Sequence, residues 1–275
     1  MSARLGLRAV ALGYLGLLLI APLAIVLWRT FEKGLDPVWA AITDPAALHA
    51  LWLTVLIALI AVPANTVFGV LCALVVVRQR FRGKTILNAV VDLPFALSPV
   101  VVGLALILVY GRDGWLGGWL TEQGIRVIFA LPGMVLATIF VSLPFVVREV
   151  VPVLREIGTE QEEAAWTLGA SPFSTFWRIT LPAIRWGVVY GIVLTTARAL
   201  GEFGAVSVVS GRIAGRTETL TLRVQERFQA FDLVGAYTAS VVLAVLALVT
   251  LVIMNLVRKE RPSGDSAQPG DQAIR

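Results

Sequence analysis

Long apolar runs recur along the whole chain and dominate its pattern. Each of six runs is about long enough to cross a hydrocarbon layer of roughly 30 Å as a helix. The runs lie at about 9–28, 50–77, 86–110, 131–151, 186–209 and 235–257. The pattern predicts an all-α fold, a polytopic membrane bundle of about six transmembrane helices. The bundle is expected to occupy residues 1–261, and the Ser, Gly, Asp, Gln and Pro content of residues 262–275 predicts a disordered tail.

The composition supports a membrane protein and excludes several other classes. Hydrophobic residues form 57% of the 275 positions and charged residues only 15%, which is unlike an ordinary soluble domain. The net charge is +5, but no polar segment interleaves basic and aromatic residues, so nucleic acid is not a predicted partner. The single cysteine, Cys72, lies in an apolar run and is predicted to be buried and inert, with no internal disulfide and no cysteine metal cluster.

The connection at 78–85 predicts the orientation of the bundle. It contains Arg78, Arg80, Arg82 and Lys84 and no acidic residue. Short cytoplasmic loops carry the excess of Lys and Arg, so this connection is predicted to face the cytoplasm. With six spans, both termini are then predicted to be cytoplasmic.

The longest connection on the same side, about 152–185, has the capping residues of a short helix. Thr159 is followed three residues later by Glu162, which fits a capping box at a helix start. Gly169 is placed to end that helix. A small helical surface on the cytoplasmic side is either a docking site for another protein or an inert connector.

A second short helix is predicted to follow in the same connection. Ser171 can cap it, and Pro172 suits its first position. Pro182 is predicted to stop this helix just before the fifth apolar run.

The residues of this connection, taken together, resemble a known motif. Glu163, Ala164 and Ala165 are followed by Gly169, and after nine further residues come Ile179, Leu181 and Pro182. This spacing resembles the EAA loop of ABC importer permeases with the type I (MetI-like) fold. The resemblance implies a coupling helix that docks in a groove of an ATPase subunit. The positions assigned to coupling are Glu162, Glu163, Ala164, Ala165, Leu168, Gly169, Ile179, Leu181 and Pro182.

ATP hydrolysis is not predicted for this chain. Gly83, Lys84 and Thr85 resemble the end of a Walker A loop, but Arg78 stands where the first glycine of that motif belongs. The chain is therefore predicted to be no enzyme and to hold no cofactor. ATP and Mg²⁺ are expected on a separate ATPase partner.

Two further segments resemble permeases for sulfate and thiosulfate. Residues 93–104 and 197–211 are similar to those of the CysW type, and the likeness extends over about 10–257. The resemblance implies sulfate as the transported ligand, a homologous CysT-type permease subunit, ABC ATPase subunits, an extracytoplasmic sulfate-binding protein and surrounding lipid. Molybdate permeases share part of the second segment, so a molybdate or tungstate permease remains an alternative.

Arg198 and Glu202 are the charged residues predicted to lie in the middle of a span. They are four residues apart and therefore neighbours on one helix face. A lone charge at that depth costs about 2.5 to 3.5 kcal/mol on insertion scales, so the two residues are expected to pair. The pair either locks helix packing or lines a path for the substrate. Ser98 and Pro99, beside Gly103, are the candidate for a helix break that lines such a path. The candidate path residues are Ser98, Pro99, Gly103, Arg198, Glu202, Phe203 and Gly204.

Two other membrane classes are disfavoured by the sequence. A secondary transporter predicts inverted repeats and its own ion site. An intramembrane enzyme predicts paired acids, or a nucleophile with a base, within the spans. Neither pattern is found, and the loop at 152–185 favours an importer subunit.

Overall fold

The fold is built from helices throughout residues 2–259, the part of the chain that this computed structural model describes. The predicted disordered tail, 262–275, lies outside the described residues. In chain order the helices are α1 (Ser2–Leu15), α2 (Ala21–Phe31), α3 (Leu35–Thr43), α4 (Pro45–Arg78), α5 (Lys84–Ala96), α6 (Pro99–Tyr110), α7 (Gly117–Glu122), α8 (Leu131–Glu156), α9 (Glu160–Thr167), α10 (Pro172–Thr175), α11 (Leu181–Leu200), α12 (Gly204–Val209), α13 (Leu220–Gln229) and α14 (Leu233–Lys259).

The predicted number of spans, about six, is confirmed within the described residues. Five helical segments are long and apolar enough to cross a membrane, and α5 with α6 forms a sixth if the bent pair counts as one span. The five are Gly6–Phe31, Pro45–Arg78, Leu131–Glu156, Pro172–Leu200 and Leu233–Thr250.

The third span is broken at Leu97 and Ser98, directly before Pro99, where the sequence predicts a break. The axes of α5 and α6 differ in direction by 113°. Leu97 and Ser98 between them have extended backbone, with ψ angles of 139° and 135°. Ser98 precedes Pro99, whose ring disfavours the helical conformation of the residue before it.

The fifth span differs from the continuous helix predicted at 186–209. The helix begins much earlier, at Pro172, and α11 ends at Leu200. Gly201, Glu202 and Phe203 separate it from α12. The Ala205 N–H of α12 donates to the Glu202 carboxylate at 2.8 Å, so a side chain in the break satisfies a backbone donor of the next helix.

The centre of the bundle consists of α4, α8 and α11 in close contact. Asn65 of α4 donates to the Ile139 carbonyl of α8 at 3.1 Å and to the Ser142 hydroxyl at 2.8 Å. A Cβ added at Gly69 of α4 or at Gly191 of α11 would lie within 3 Å of Val146 in α8. Small residues at these positions allow the three backbones to approach closely, as is common in membrane bundles.

The direction of the helices divides the connections between two ends of the bundle. Arg78 at the end of α4 bonds to the Gly158 carbonyl just after α8, so the loops 79–83 and 157–171 lie at one end. The 34 residues of α4 place Asp44, at its other terminus, about 50 Å away along the helix axis. The chain direction places the beginning of α1 and the end of α14 at the Arg78 end.

A cluster of charged residues closes the Asp44 end. Arg223 and Arg227 of α13 both pair with the Asp44 carboxylate, and Arg223 also lies 3.2 Å from Glu218. Glu218 lies outside the spans and is fully buried. Burial raises its pKa to about 7, the neighbouring Glu226 carboxylate adds to this rise, and Arg223 opposes it. This cluster therefore gains or loses a proton near neutral pH.

Candidate coupling loop and translocation path

The first short helix of the loop, α9, begins at the predicted residue but not with the predicted capping box. Thr159 is its N-cap, and the Thr159 hydroxyl donates to the Glu163 carboxylate at 2.7 Å. Glu162 does not reach back to Thr159. It points into the protein, where only 6% of its surface is exposed, because a partly buried arginine offers its carboxylate a stronger partner.

That arginine is Arg78, and it connects three segments of the chain. Its Nε lies 2.9 Å from one carboxylate oxygen of Glu162, and its Nη2 donates to the other at 3.2 Å. It also donates to the carbonyl of Leu154 in α8, at 3.1 Å, and to that of Gly158, at 2.7 Å. The Thr180 hydroxyl donates to Glu162 at 2.8 Å. In the sequence Arg78 was visible only as a loop charge, since its partners are about 76 to 84 positions away.

The predicted end of α9 at Gly169 is confirmed. Gly169 has a φ of +80°, and its N–H donates to the Trp166 carbonyl at 3.0 Å. The Ala170 N–H donates to the Ala165 carbonyl, also at 3.0 Å, which completes a Schellman motif. Nothing lies within 4 Å of a Cβ placed on Gly169, so this turn faces open space.

The second short helix starts as predicted but does not stop at Pro182. The Ser171 hydroxyl caps α10 by accepting from the Ser174 N–H at 3.3 Å. Residues Phe176–Thr180 then form a π-helical turn that joins α10 to α11 without a break. The Leu181 N–H donates to the Phe176 carbonyl, five residues back, and this wider turn accommodates the proline that follows.

The surface of this loop exposes several large apolar side chains. The exposed fractions are 87% for Leu168 and 74% for Phe173. Trp166 and Trp177 are also exposed, and the rings of Phe173 and Trp177 lie 6.1 Å apart. We call these four residues the loop patch. An exposed apolar patch rimmed by polar residues marks an interaction site.

The residues assigned to coupling fall into two groups. The exposed group is Glu163, Ala164, Leu168, Gly169 and Pro182. Ile179 and Leu181 are partly buried, and Glu162 and Ala165 are buried. The loop therefore has one face toward solvent and one that holds it to its own chain.

The candidate path residues come together where the two broken spans meet. A Cβ at Gly204 would lie 2.7 Å from the Cβ of Pro99, and one at Gly103 would lie 2.7 Å from the Cβ of Val208. The break at Ser98 and the break at Phe203 are therefore side by side. Broken helices inside a membrane are tolerated where they are buried in protein or line a cavity.

Arg198 and Glu202 form the predicted ion pair, although not in the middle of a helix. Arg198 Nη2 lies 2.7 Å from Glu202 Oε2, and the Glu202 side chain is 2% exposed. Glu202 follows the end of α11, and its carbonyl accepts from the Thr221 hydroxyl at 2.8 Å. The Arg198 side chain is 29% exposed, so the guanidinium covers the carboxylate on the more open side.

Residues 65–260 match the family described as binding-protein-dependent transport system inner membrane component. The chain belongs to this family. It is 52% identical over 253 residues to the sulfate transport system permease protein CysW of Synechocystis sp., covering 92% of each chain. It is 40% identical over 246 residues to the CysT protein of the same organism, covering 90% of this chain and 86% of that one. The identity to CysW is higher than the identity to CysT, which confirms the predicted resemblance to the CysW type.

The fold is shared with a solved ABC transporter. The chain matches a subunit of the bacterial alginate ABC transporter, crystallised in complex with its alginate pentasaccharide-bound periplasmic protein, with a TM-score of 0.79. The match covers 94% of each chain at 18% identity, so it bears on fold alone. The predicted all-α importer permease fold is confirmed.

Proposed function

We propose that this chain is the transmembrane permease subunit of an ABC importer that carries sulfate into the cytoplasm. The observation that carries the proposal is its similarity to a sulfate permease of the CysW type along nine-tenths of both chains. The same similarity favours sulfate over the molybdate and tungstate alternative. Thiosulfate, a close chemical relative, is the second ligand that the CysW resemblance implies.

ATP hydrolysis belongs in this proposal to separate ATPase subunits, which bind the nucleotide and Mg²⁺. The loop patch and the open turn at Gly169 form an apolar surface outside the membrane helices, which suits insertion into a groove of such a subunit. The other partners in the proposal are a CysT-type permease subunit and an extracytoplasmic sulfate-binding protein. Lipid surrounds the exposed apolar faces of the spans.

The orientation follows from the position of this surface. ATP is cytoplasmic, so the end of the bundle that carries α9 and α10 faces the cytoplasm. The same end carries the basic connection at 78–85, in agreement with the excess of Lys and Arg on cytoplasmic loops. Both chain termini are then cytoplasmic, and the cluster around Asp44 is extracytoplasmic.

The path in this proposal runs past the two adjacent helix breaks, with Arg198 as the source of positive potential. A doubly charged anion in a low-dielectric constriction needs compensating charge or hydrogen-bond donors. Arg198 retains an exposed edge while its charge is balanced by Glu202. Discontinuous helices are the usual place for substrate contacts in transporters.

The experiment is transport by the reconstituted complex. The chain, a CysT-type subunit, the ATPase and the binding protein are placed in proteoliposomes, and uptake of sulfate and of molybdate is measured. ATP-dependent uptake of sulfate well above molybdate is expected; the reverse preference would contradict the proposal.

The coupling loop is tested in the same system with two variants. Glu163→Lys changes the exposed face of the loop. Gly169→Trp adds a bulky side chain to that face and also strains the turn, because position 169 has a φ of +80°. We therefore expect weaker co-purification of the ATPase and loss of uptake for both variants. Arg82→Gln, in an exposed position of the neighbouring basic connection, is the control and should behave as wild type. Normal ATPase binding and uptake by both loop variants would show that this face is not the docking surface.

A further inference from the structure

We propose that Arg78 is a positioning residue of energy coupling, which fixes α9 to the membrane helices so that movement of the ATPase is transmitted to them. This inference rests on the proposed function. It concerns a residue outside the EAA spacing, on a helix that does not belong to the loop. We call Arg78, Glu162 and Thr180 the loop clamp.

The guanidinium of Arg78 reaches three separate segments at once. It belongs to α4, it donates to the last turn of α8 at Leu154, and it binds the carboxylate of Glu162 in α9. Its planar group carries five N–H donors. The hydrogen bonds to the Leu154 carbonyl, the Gly158 carbonyl and the Glu162 carboxylate use these donors in different directions. A lysine has the charge but not this geometry.

Burial makes the clamp more than a surface ion pair. The exposed fractions of the two side chains are 17% for Arg78 and 8% for Glu162. Exposed ion pairs contribute little because water competes and the side chains lose entropy, whereas removing one partner of a buried pair leaves an uncompensated charge. The connection between α9 and the bundle therefore depends on both members.

Thr180 extends the connection to the start of the fifth span. Its hydroxyl donates to the same carboxylate oxygen that accepts from Arg78 Nη2. Thr180 is the last residue of the π-helical turn, directly before α11. A displacement of α9 thus acts on α4, α8 and α11 together, and these are the three helices at the centre of the bundle.

Glu162 and Glu163 are adjacent in sequence, but their side chains lie in different environments and consequently have different roles. Successive residues of a helix point about 100° apart, which directs one carboxylate inward and the other outward. Glu162 is 6% exposed and bound by the clamp, so it is not available to a partner protein. Glu163 is exposed, and its carboxylate accepts a hydrogen bond from the Thr159 hydroxyl. The inner carboxylate holds the loop, and the outer one faces the ATPase.

The test compares stimulated with basal ATP hydrolysis in the reconstituted complex. For Arg78→Gln we expect the ATPase to co-purify, while the stimulation by sulfate-loaded binding protein falls by about fivefold or more, the low end of typical coupling between sites. Glu163→Gln should show the opposite profile, with weaker ATPase binding but a preserved stimulation ratio in the complexes that form. Stimulation of Arg78→Gln equal to wild type would overturn the proposal.

Two further variants separate positioning from folding. Arg78→Lys keeps the charge but cannot make all the bonds, so its stimulation should lie between that of wild type and that of Arg78→Gln. If Arg78→Gln does not assemble, the double variant Arg78→Gln with Glu162→Gln is used, because it leaves no charge of the pair without a partner. Assembly of the double variant with low stimulation supports the clamp. Assembly with stimulation equal to wild type overturns it, and failure to assemble assigns Arg78 to folding and also overturns it.

The wild-type complex distinguishes this inference from the proposed function. Wild type that is not stimulated by sulfate-loaded binding protein contradicts the proposed function itself. Wild type that is stimulated, together with an equally stimulated Arg78→Gln variant, contradicts only the clamp.

Discussion

At the residue scale, Glu202 serves two contacts with one carboxylate. One oxygen pairs with Arg198 and the other accepts the Ala205 N–H at the start of α12. The residue thus neutralises a charge inside the membrane and also fixes the position of the helix after the break. A change at Glu202 alone can remove both the ion pair with Arg198 and the hydrogen bond to Ala205. A test of the ion pair must therefore neutralise Arg198 and Glu202 together.

The double variant Arg198→Gln with Glu202→Gln tests the role of the pair. Gln at 202 retains an oxygen that can accept the Ala205 N–H, and no buried charge is left without a partner, so we expect assembly to be retained. Sulfate uptake per assembled complex should nevertheless fall, because the path loses positive potential. The single change Arg198→Ala is the comparison, and it should reduce assembly by stranding the carboxylate. Near-normal uptake by the double variant would assign the pair to packing alone.

At the scale of elements, the two breaks depend on the absence of side chains at their contact. Both Gly103 of α6 and Gly204 at the start of α12 would carry a Cβ only 2.7 Å from a neighbouring side-chain atom. The Gly103 site is also 2.9 Å from the Ala205 carbonyl, a backbone atom that cannot rotate away. Protein interiors of this density resist even one added methyl group.

Gly103→Ala should therefore disturb the contact of α6 with α12. We expect a destabilisation of about 1 to 3 kcal/mol from overpacking, seen as a lower midpoint in thermal unfolding of the purified complex, with reduced uptake. Gly118→Ala in α7 is the matched control, because nothing lies within 4 Å of a Cβ there. Equal midpoints for the two variants would show that α6 and α12 are less closely packed than described.

The outcomes at element scale show which features the sequence could predict. The number of spans and the approximate positions of all but the fifth follow from local length and hydrophobicity, and these predictions were correct. The break at Leu97–Ser98 is marked in the sequence by Pro99. The break at Gly201–Phe203 has no such mark and depends in part on Thr221, a distant partner of the Glu202 carbonyl, so the apolar pattern ran straight through it. A different proline was misleading.

The misleading proline is Pro182, which was expected to stop a helix. The π-helical turn Phe176–Thr180 ends two residues before Pro182. The π-helical turn Gly16–Ile20 likewise ends two residues before Pro22. In both places the widened turn lets the helix continue past a residue with no N–H. Such a turn has no evident signature in residue types, so the continuous helix at 172–200 could not be predicted. The candidate coupling residues could be chosen from the sequence because their motif is local, and their role stays a prediction. Arg78 could not be chosen in this way, because its contacts span some 80 positions.

At the scale of the whole molecule, chain direction and charge agree on one arrangement of the two ends. The Arg78 end carries the basic connection and the coupling loop, and the other end carries the cluster of α13 with Asp44. The beginning of α1 and the end of α14 lie on the Arg78 side. The proposed orientation assigns that side to the cytoplasm.

Labelling of introduced cysteines with a membrane-impermeant thiol reagent in intact cells tests this assignment. Cysteines replacing Arg80 and Thr159 should be shielded, and a cysteine replacing Arg216 should react, because the first two lie on the proposed cytoplasmic side. The wild-type chain is the blank, since its single cysteine, Cys72, is buried as predicted. Reaction at 80 and 159 with protection at 216 would reverse the orientation.

The opposed directions of Glu162 and Glu163 restrict the evolution of the loop in length as well as in composition. Surface connections usually tolerate insertions and deletions. Here a change of one residue between the N-cap at Thr159 and the clamp would turn the helix by about 100°. A loss would bring Glu163 to the position that faces Arg78, and a gain would bring Gln161 there, so in either case Glu162 would leave the clamp. A compensating change would have to occur simultaneously on α4 and on the partner protein. The segment from Thr159 to Gly169 should consequently be an ungapped block in an alignment of this family, even where its exposed side chains vary.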